Sequence, residues 1–178
     1  MSEVVELIGA DRIERRVREL AAEIAKARDP GAGPDLFVLV LLKGAFVFAA
    51  DLIRALHGHG VAAEVDFLTL ASYGAGTESA GHIRLVAEPR LDPHGREVLL
   101  VDDILDTGRS LDFARRYAEG RGAKPVRSCV LLDKPSRRTL PVKADFVGFE
   151  VPDRFIVGYG IDFAEQYRHL PFVAALEV

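Results

Sequence analysis

Apolar residues recur along this chain with two different spacings, and the switches between them outline its elements. Over Asp11–Ala27, residues Ile13, Val17, Leu20 and Ile24 fall on one face of a helical repeat, which predicts an amphipathic helix. The stretch Asp29-Pro30-Gly31-Ala32-Gly33-Pro34 breaks it. Leu36–Leu42 is a continuous apolar run, followed by Lys43-Gly44 and a helical pattern over about Ala45–Leu56. Gly58-His59-Gly60 ends that helix, and Val61–Leu70 reads as a strand in which Val61, Ala63, Val65 and Phe67 alternate with other residues. Ser72–Gly81 is small, polar and Gly-rich, the pattern of a mobile loop or a plain hairpin tip, with His82–Ala87 returning as a strand. Pro89–Arg96 then turns into a strand over Val98–Val101, a helix over Ser110–Glu119 and a strand over Val126–Leu132. Ala144–Val151, Phe155–Gly158 and Phe172–Leu176 complete the β content. Strand–helix–strand alternation in the middle predicts an α/β fold, a parallel sheet with helices on both faces. No internal repeat, low-complexity tract or linker divides the chain, so residues 1–178 read as a single domain.

Within this pattern, Val98–Leu111 carries the most chemistry. Four apolar residues lead into Asp102-Asp103, then Ile104-Leu105-Asp106-Thr107-Gly108-Arg109-Ser110 and an amphipathic segment. The pattern predicts a buried strand, a short loop and a helix start. In open α/β sheets ligands bind beyond the carboxyl ends of the strands. A helix start with Thr107, Gly108 and Ser110 offers N–H groups and hydroxyls to a phosphate. The paired acids repel a phosphate, so they need another partner: the vicinal hydroxyls of a ribose, or a metal bound to them. Together these describe a ribose 5-phosphate site, against the plainer reading of a capped helix start.

Composition narrows the class. The chain is 49% apolar and 28% charged with a net charge of −4, which argues against a general nucleic-acid surface. Basic residues concentrate in Arg12–Arg18, Arg115–Arg127 and Arg137–Arg138, the first two read as solvated faces. The single cysteine, Cys129, lies in an apolar run and reads as a buried structural thiol. The histidines show no metal-site spacing. No secretory h-region appears and no apolar run approaches the ~18 residues of a membrane span, so a cytoplasmic protein is expected, with no membrane partner.

The Val98–Leu111 run resembles the phosphoribosyl-diphosphate (PRPP) signature of the type I phosphoribosyltransferases. Further segments in order over roughly Asp35–Ala175 are similar to the bacterial hypoxanthine (hypoxanthine-guanine) branch of that family. The resemblance implies a five-stranded parallel core flanked by helices. A small hood is expected from the N-terminal segment and the chain after about Lys134. It further implies a purine-salvage transferase that joins hypoxanthine or guanine to PRPP with Mg²⁺, giving IMP or GMP and pyrophosphate. Asp102 and Asp103 match the acidic pair for the ribose hydroxyls and their metal, with Asp102 one methylene shorter than the usual Glu. Asp106, Thr107, Gly108, Arg109 and Ser110 match the 5′-phosphate loop, and Asp106 the general base near purine N7. Leu42-Lys43-Gly44 matches a pyrophosphate loop that carries a non-proline cis peptide before the lysine. Ser72-Tyr73 matches the start of a catalytic loop that closes over pyrophosphate. Lys134, in Leu132-Asp133-Lys134-Pro135, matches the lysine that selects a 6-oxopurine. In Val151–Asp162, Phe155 would stack on the purine, the Ile156 backbone would read its edge, and Asp162 would face a second magnesium. Arg168 would bind pyrophosphate. Homodimers or homotetramers are the expected assemblies.

Read without the resemblance, several of these residues have plainer roles. Lys43-Gly44 is a strand-to-helix turn, Lys134 an exposed turn residue, Phe155 a core aromatic and Asp106 an N-cap carboxylate. Two other functions also fit parts of the pattern. One is a regulator that senses PRPP and binds nucleic acid; it would need a basic face or an added DNA-binding segment. The other is a transferase for uracil or adenine, against which Lys134 and the Phe155–Asp162 stretch argue.

Overall fold

Strands covered by helices on both faces have no polar side to show, so the uninterrupted apolar runs of this chain become the middle of a sheet. The computed structural model describes residues 3–31, 33, 35–73 and 82–177. In chain order its elements are β1 (Glu3–Ile8), α1 (Ala10–Ala27), β2 (Asp35–Leu42), α2 (Phe46–His57), β3 (Ala62–Tyr73) and β4 (His82–Ala87). They continue with β5 (Val98–Leu105), α3 (Arg109–Gly120), β6 (Val126–Asp133), a 3₁₀ turn (Pro135–Arg137), β7 (Phe146–Glu150), β8 (Ile156–Val157) and β9 (Val173–Glu177). The large sheet has the order β4-β3-β2-β5-β6-β7. Strands β3, β2, β5, β6 and β7 are parallel neighbours, the expected five, and β4 adds a sixth strand antiparallel to β3 at the edge.

Alternation along β2 sorts the core into two layers. Val38 and Val40 face α1 and α2, where they meet Val17, Leu20, Phe48 and Leu52. Phe37, Leu39 and Leu41 point the other way, to Leu111, Ala114 and Ala118 of α3. Helix α1 presents Ile13, Val17, Leu20 and Ile24 to the core, as its repeat predicts. Arg16 pins α1 to the sheet edge by donating from Nε to the Gly148 carbonyl (3.0 Å) and from Nη2 to the Val147 carbonyl (2.8 Å). Cys129 is fully buried in β6, and burial pushes its thiol well above the usual range.

Three differences from the sequence reading bear on the site. Strand β5 runs to Leu105 rather than Val101, because its parallel ladder with β6 continues through Asp102, Ile104 and Leu105. Asp102 and Asp103 therefore sit on a strand, not in a loop. Strand β1, absent from the sequence reading, pairs antiparallel with β9, which also pairs with β8. Its burial is slight and its partner lies at the far end of the chain, so local periodicity carries little trace of it. Finally, the chain after Lys134 first supplies β7 to the large sheet, and α1 packs on α2 and β7. The small sheet holds β1, β9 and β8, drawn from the N-terminal segment and from the chain after Lys134.

Leu100, fully buried in the middle of β5, reports on this architecture. Leu100→Ala is expected to cost about 2–5 kcal/mol in urea unfolding, whereas Val86→Ala on the exposed side of β4 is expected to leave the midpoint nearly unchanged.

Candidate active site

The loops at the carboxyl ends of β2, β5 and β6 gather most of the polar residues singled out in the sequence. Beyond β2 the Leu42–Lys43 peptide is cis, as the resemblance implies. The following Gly44 meets Asp103 of β5 so closely that a Cβ there would lie 1.8 Å from Asp103 Oδ2. Only glycine lets the two strand ends approach this way. Asp103 N–H donates to Asp102 Oδ1 (2.9 Å), and Ile104 N–H donates to Asp103 Oδ1 (2.8 Å). Burial, and then the neighbouring Asp103 carboxylate, push the Asp102 carboxyl well above its ordinary pKa. A cleft of about 220 Å³ opens over Lys43, Gly44, Asp102, Asp103 and Ser110.

After β5, Asp106–Gly108 turn the chain into α3. Gly108 occupies the N-cap with φ 92°, a left-handed conformation, and no side chain caps the helix. Thr107 Oγ1 lies 3.5 Å from Arg109 N, a marginal contact. No side chain caps α3 from the N-cap position, and the first turn of such a helix presents backbone N–H groups suited to an anion. The segment after the 3₁₀ turn backs this loop. Arg138 donates to the carbonyls of Asp106 (2.9 Å) and Leu105 (3.3 Å) and pairs with Asp133. The Thr107 carbonyl accepts from the N–H groups of Thr139 (3.0 Å) and Leu140 (3.2 Å). Asp106 itself projects Oδ1 as a buried atom that accepts no hydrogen bond. Its polar neighbour is Arg137 Nε at 3.0 Å, an ion pair without hydrogen-bond alignment, and Arg137 Nη1 also lies 3.5 Å from Asp153 Oδ1.

At the end of β6, Lys134 is only 7% exposed, which overturns the exposed-turn reading. Its backbone N–H donates to the Leu105 carbonyl (3.0 Å) and its Nζ to the Arg154 carbonyl (2.7 Å). Phe155 is no core aromatic: it is 48% exposed and stands edge-on to Phe163, with ring centroids 5.2 Å apart. Ile156 is buried and pairs with Ala175 in the small sheet.

A tight turn over Gly158–Ile161 brings up the last group. Gly158, Tyr159 and Gly160 all have positive φ. The Tyr159 hydroxyl donates to Asp51 of α2, anchoring the turn, and burial raises its phenol. Gly160 sits so close to the Gly44 carbonyl that a Cβ would come within 2.7 Å. Arg168 donates to the Gly160 carbonyl (2.8 Å) and pairs with Asp162 (3.0 Å) and Glu165 (3.2 Å). Glu165 in turn pairs with Lys43 at 2.6 Å. Hydrogen bonds from Lys43 and Arg168 hold the Glu165 carboxyl below its ordinary range.

The fold thus joins Gly44 to Asp103, and Lys43 to Arg168 by way of Glu165. Asp162 is not brought into one cluster with Asp102 and Asp103. Among the described residues, no three metal-ligating side chains converge. Ser72 and Tyr73 end β3, paired with Ile83 and His82 of β4; the rest of the Gly-rich segment, 74–81, lies outside the described residues. Arg137, Asp153 and Glu165 are neighbours of the site that the sequence reading left without a role. Their signal was there as opposite charges beside recognised segments, but nothing local says which charges pair. A larger and mainly apolar groove runs along α1 and α2, lined by Ile13, Val17, Phe46, Val47 and Leu170, away from the Asp106–Ser110 loop.

Comparison with known proteins places the chain. The model of the phosphoribosyl transferase domain matches residues 6–164. The hypoxanthine-guanine phosphoribosyltransferase of Aquifex aeolicus is 45% identical over 96% of this chain and 93% of its own. The hypoxanthine phosphoribosyltransferase of Escherichia coli K12 is 41% identical over 94% and 92%. The crystal structure of a hypoxanthine-guanine phosphoribosyltransferase from Bacillus anthracis superposes with a TM-score of 0.88, at 38% identity and 99% coverage of both chains. Likeness of this extent, over a fold with the same parallel sheet, shows that the chain belongs to the phosphoribosyltransferase family, among its hypoxanthine and hypoxanthine-guanine members.

Proposed function

We propose that the chain is a purine-salvage glycosyltransferase that moves the 5-phosphoribosyl group of PRPP to hypoxanthine or guanine, releasing IMP or GMP and pyrophosphate. One observation carries this reading: the Asp102-Asp103 pair, the uncapped start of α3 and the buried Lys134 meet at the carboxyl ends of adjacent strands. An acidic pair beside an anion-binding helix start suits a sugar phosphate, and a buried ammonium beside an exposed aromatic suits a planar base with an acceptor.

Each residue then has a chemical task. The 5′-phosphate lies at Asp106–Ser110, where N–H groups of the first turn of α3 and the hydroxyls of Thr107 and Ser110 donate to it. Asp102 and Asp103 take the ribose hydroxyls. The Leu42–Gly44 loop, Ser72, Tyr73 and Arg168 hold the pyrophosphate, Arg168 as a planar multi-donor cation. Phe155 stacks on the purine, and the Ile156 backbone reads its edge. Lys134 donates to the 6-oxo group and has nothing to accept from a 6-amino group. Asp106 accepts the proton from N7 as N9 bonds to the anomeric carbon; its Oδ1 is turned to Arg137, which orients the carboxylate.

Mg²⁺ fits the donors present. Asp102, Asp103 and Asp162 offer hard carboxylate oxygens, and magnesium characteristically binds through one or two carboxylates plus substrate phosphates rather than a complete protein cage. Asp102 and Asp103 would hold one ion against the ribose hydroxyls, and Asp162 a second one beside the pyrophosphate. When bound, the metal neutralises charge on the departing pyrophosphate. We further propose that residues 1–178 act as one catalytic domain, in the cytoplasm, as a homodimer or homotetramer, with no nucleic-acid or membrane partner. The exposed Phe46 in the apolar groove supports self-association. No helix among the described residues is long and apolar enough to cross a membrane.

Supplying hypoxanthine, guanine, xanthine, adenine or uracil separately with PRPP and Mg²⁺ tests the activity: IMP and GMP should form, with adenine and uracil inert. Nucleotide from none of them would overturn the proposal. Asp106→Asn should lower kcat by about 10²-fold or more while KM for PRPP stays nearly constant; unchanged kcat removes Asp106 from the base role. Lys134→Ala should raise KM for hypoxanthine and narrow the preference over adenine, read from competition of the two bases.

A further inference from the structure

Between two of the cations assigned to pyrophosphate stands a carboxylate, Glu165, with no role in that assignment. Glu165 places one carboxylate oxygen 2.6 Å from Lys43 Nζ and the other 3.2 Å from Arg168 Nη2. Its two oxygens thus engage the two cations that come from segments more than a hundred residues apart, the arrangement expected of a bound dianion bridging them. The backbone holds it there at a conformational cost. Ala164, Glu165 and Tyr167 all have positive φ (51°, 63° and 71°), a region that side-chain-bearing residues rarely adopt and that clusters at functional sites. The Glu165 N–H donates to Asp162 Oδ2 (2.8 Å), which fixes the turn against the same Arg168.

Exposure is unequally divided within this group. The Arg168 side chain is 18% exposed and tied to the Gly160 carbonyl, whereas those of Lys43 and Glu165 are 62% and 65% exposed. Arg168 is therefore the fixed donor, and Glu165 the group that can swing into solvent. The Glu165 side chain is exposed, and among the described residues its charged partners are these two cations. Exposed ion pairs are weak, so a substrate diphosphate with higher charge displaces the carboxylate readily.

We propose that Glu165 is an internal counter-anion of the pyrophosphate subsite, occupying Lys43 and Arg168 when that subsite is empty and competing with pyrophosphate for them. This rests on the reading of Lys43 and Arg168 as pyrophosphate ligands. The competition lowers affinity for the diphosphate of PRPP and for the product alike. As pyrophosphate leaves, the carboxylate returns to the cations and opposes rebinding.

The test is titration calorimetry with inorganic pyrophosphate and Mg²⁺, together with initial-rate kinetics, on the wild type, Glu165→Gln, Lys43→Ala, Arg168→Ala and the Lys43→Ala/Glu165→Gln double variant. Glu165→Gln is expected to bind pyrophosphate about two- to thirtyfold more tightly, the range set by two exposed ion pairs. KM for PRPP should fall by a similar factor, with KM for hypoxanthine and Tm unchanged. The gain should shrink as salt screens the charges and should be largely lost in the double variant. Equal or weaker binding by Glu165→Gln, while Lys43→Ala or Arg168→Ala weakens it, overturns the counter-anion and leaves the subsite standing. Wild-type affinity in both Lys43→Ala and Arg168→Ala removes the subsite itself. Should Arg168→Ala fail to fold, the exposed Lys43 decides the matter alone.

Discussion

Everything at the site depends on how strand β5 ends. It runs in the middle of the sheet, hydrogen-bonded to β2 and β6 and covered by helices on both faces, so its first residues, Val98–Val101, are apolar and fully enclosed. A parallel ladder depends on backbone groups and not on side chains, and it continues past Val101 through Asp102 to Ile104 and Leu105, carrying Asp103 between them. Two carboxyl groups are thereby delivered on a rigid element to the open end of the sheet. Burial of Asp102 beside Asp103 raises its carboxyl, a destabilisation accepted where a ligand's hydroxyls or a cation can relieve it. Gly44 completes the arrangement, since any side chain there would occupy the place of the Asp103 carboxylate.

Charge at the strand ends is organised in two groups that differ in permanence. Around the Asp106–Ser110 loop, Arg138 is largely enclosed and donates to several carbonyls as well as pairing with Asp133. Such a guanidinium shapes the backbone and does not exchange its partners without loosening the loop. Around Lys43 and Arg168 the partners are exposed carboxylates, screened by water and easily replaced. Arg137, between Asp106 and Asp153, has the same half-exposed character. Enclosed pairs thus fix the backbone at the strand ends, and the exposed pairs lie at the residues proposed to meet substrate.

How much was legible in the sequence follows from the range of each interaction. The helical face Ile13–Ile24 and the apolar runs of β2, β5 and β6 are local signals, because burial on one or both faces imposes a period on consecutive residues. The Asp102–Ser110 segment was legible as a strand-to-helix turn, although its strand runs on to Leu105 because the ladder with β6 continues. Strand β1 was not, because its partner β9 lies at the other end of the chain. The burial of Lys134 and the exposure of Phe155 were also hidden, each reversing what its residue type suggests in isolation. Lys134 is enclosed because Arg154, twenty residues later, offers a carbonyl to its ammonium.

The amino-acid order by itself determined the α/β class, the identity of the chemical groups and, through motif resemblance, the family to which they belong. It did so because alternation, helix starts and glycine turns are imposed by neighbours along the chain. Tertiary structure alone decided which charges face one another: Glu165 with Lys43, Arg137 with both Asp106 and Asp153, Arg138 with the back of the Asp106–Ser110 loop. Coulombic and hydrogen-bonded partners are chosen by distance in space, and that distance is set only when the sheet brings the ends of separated strands together.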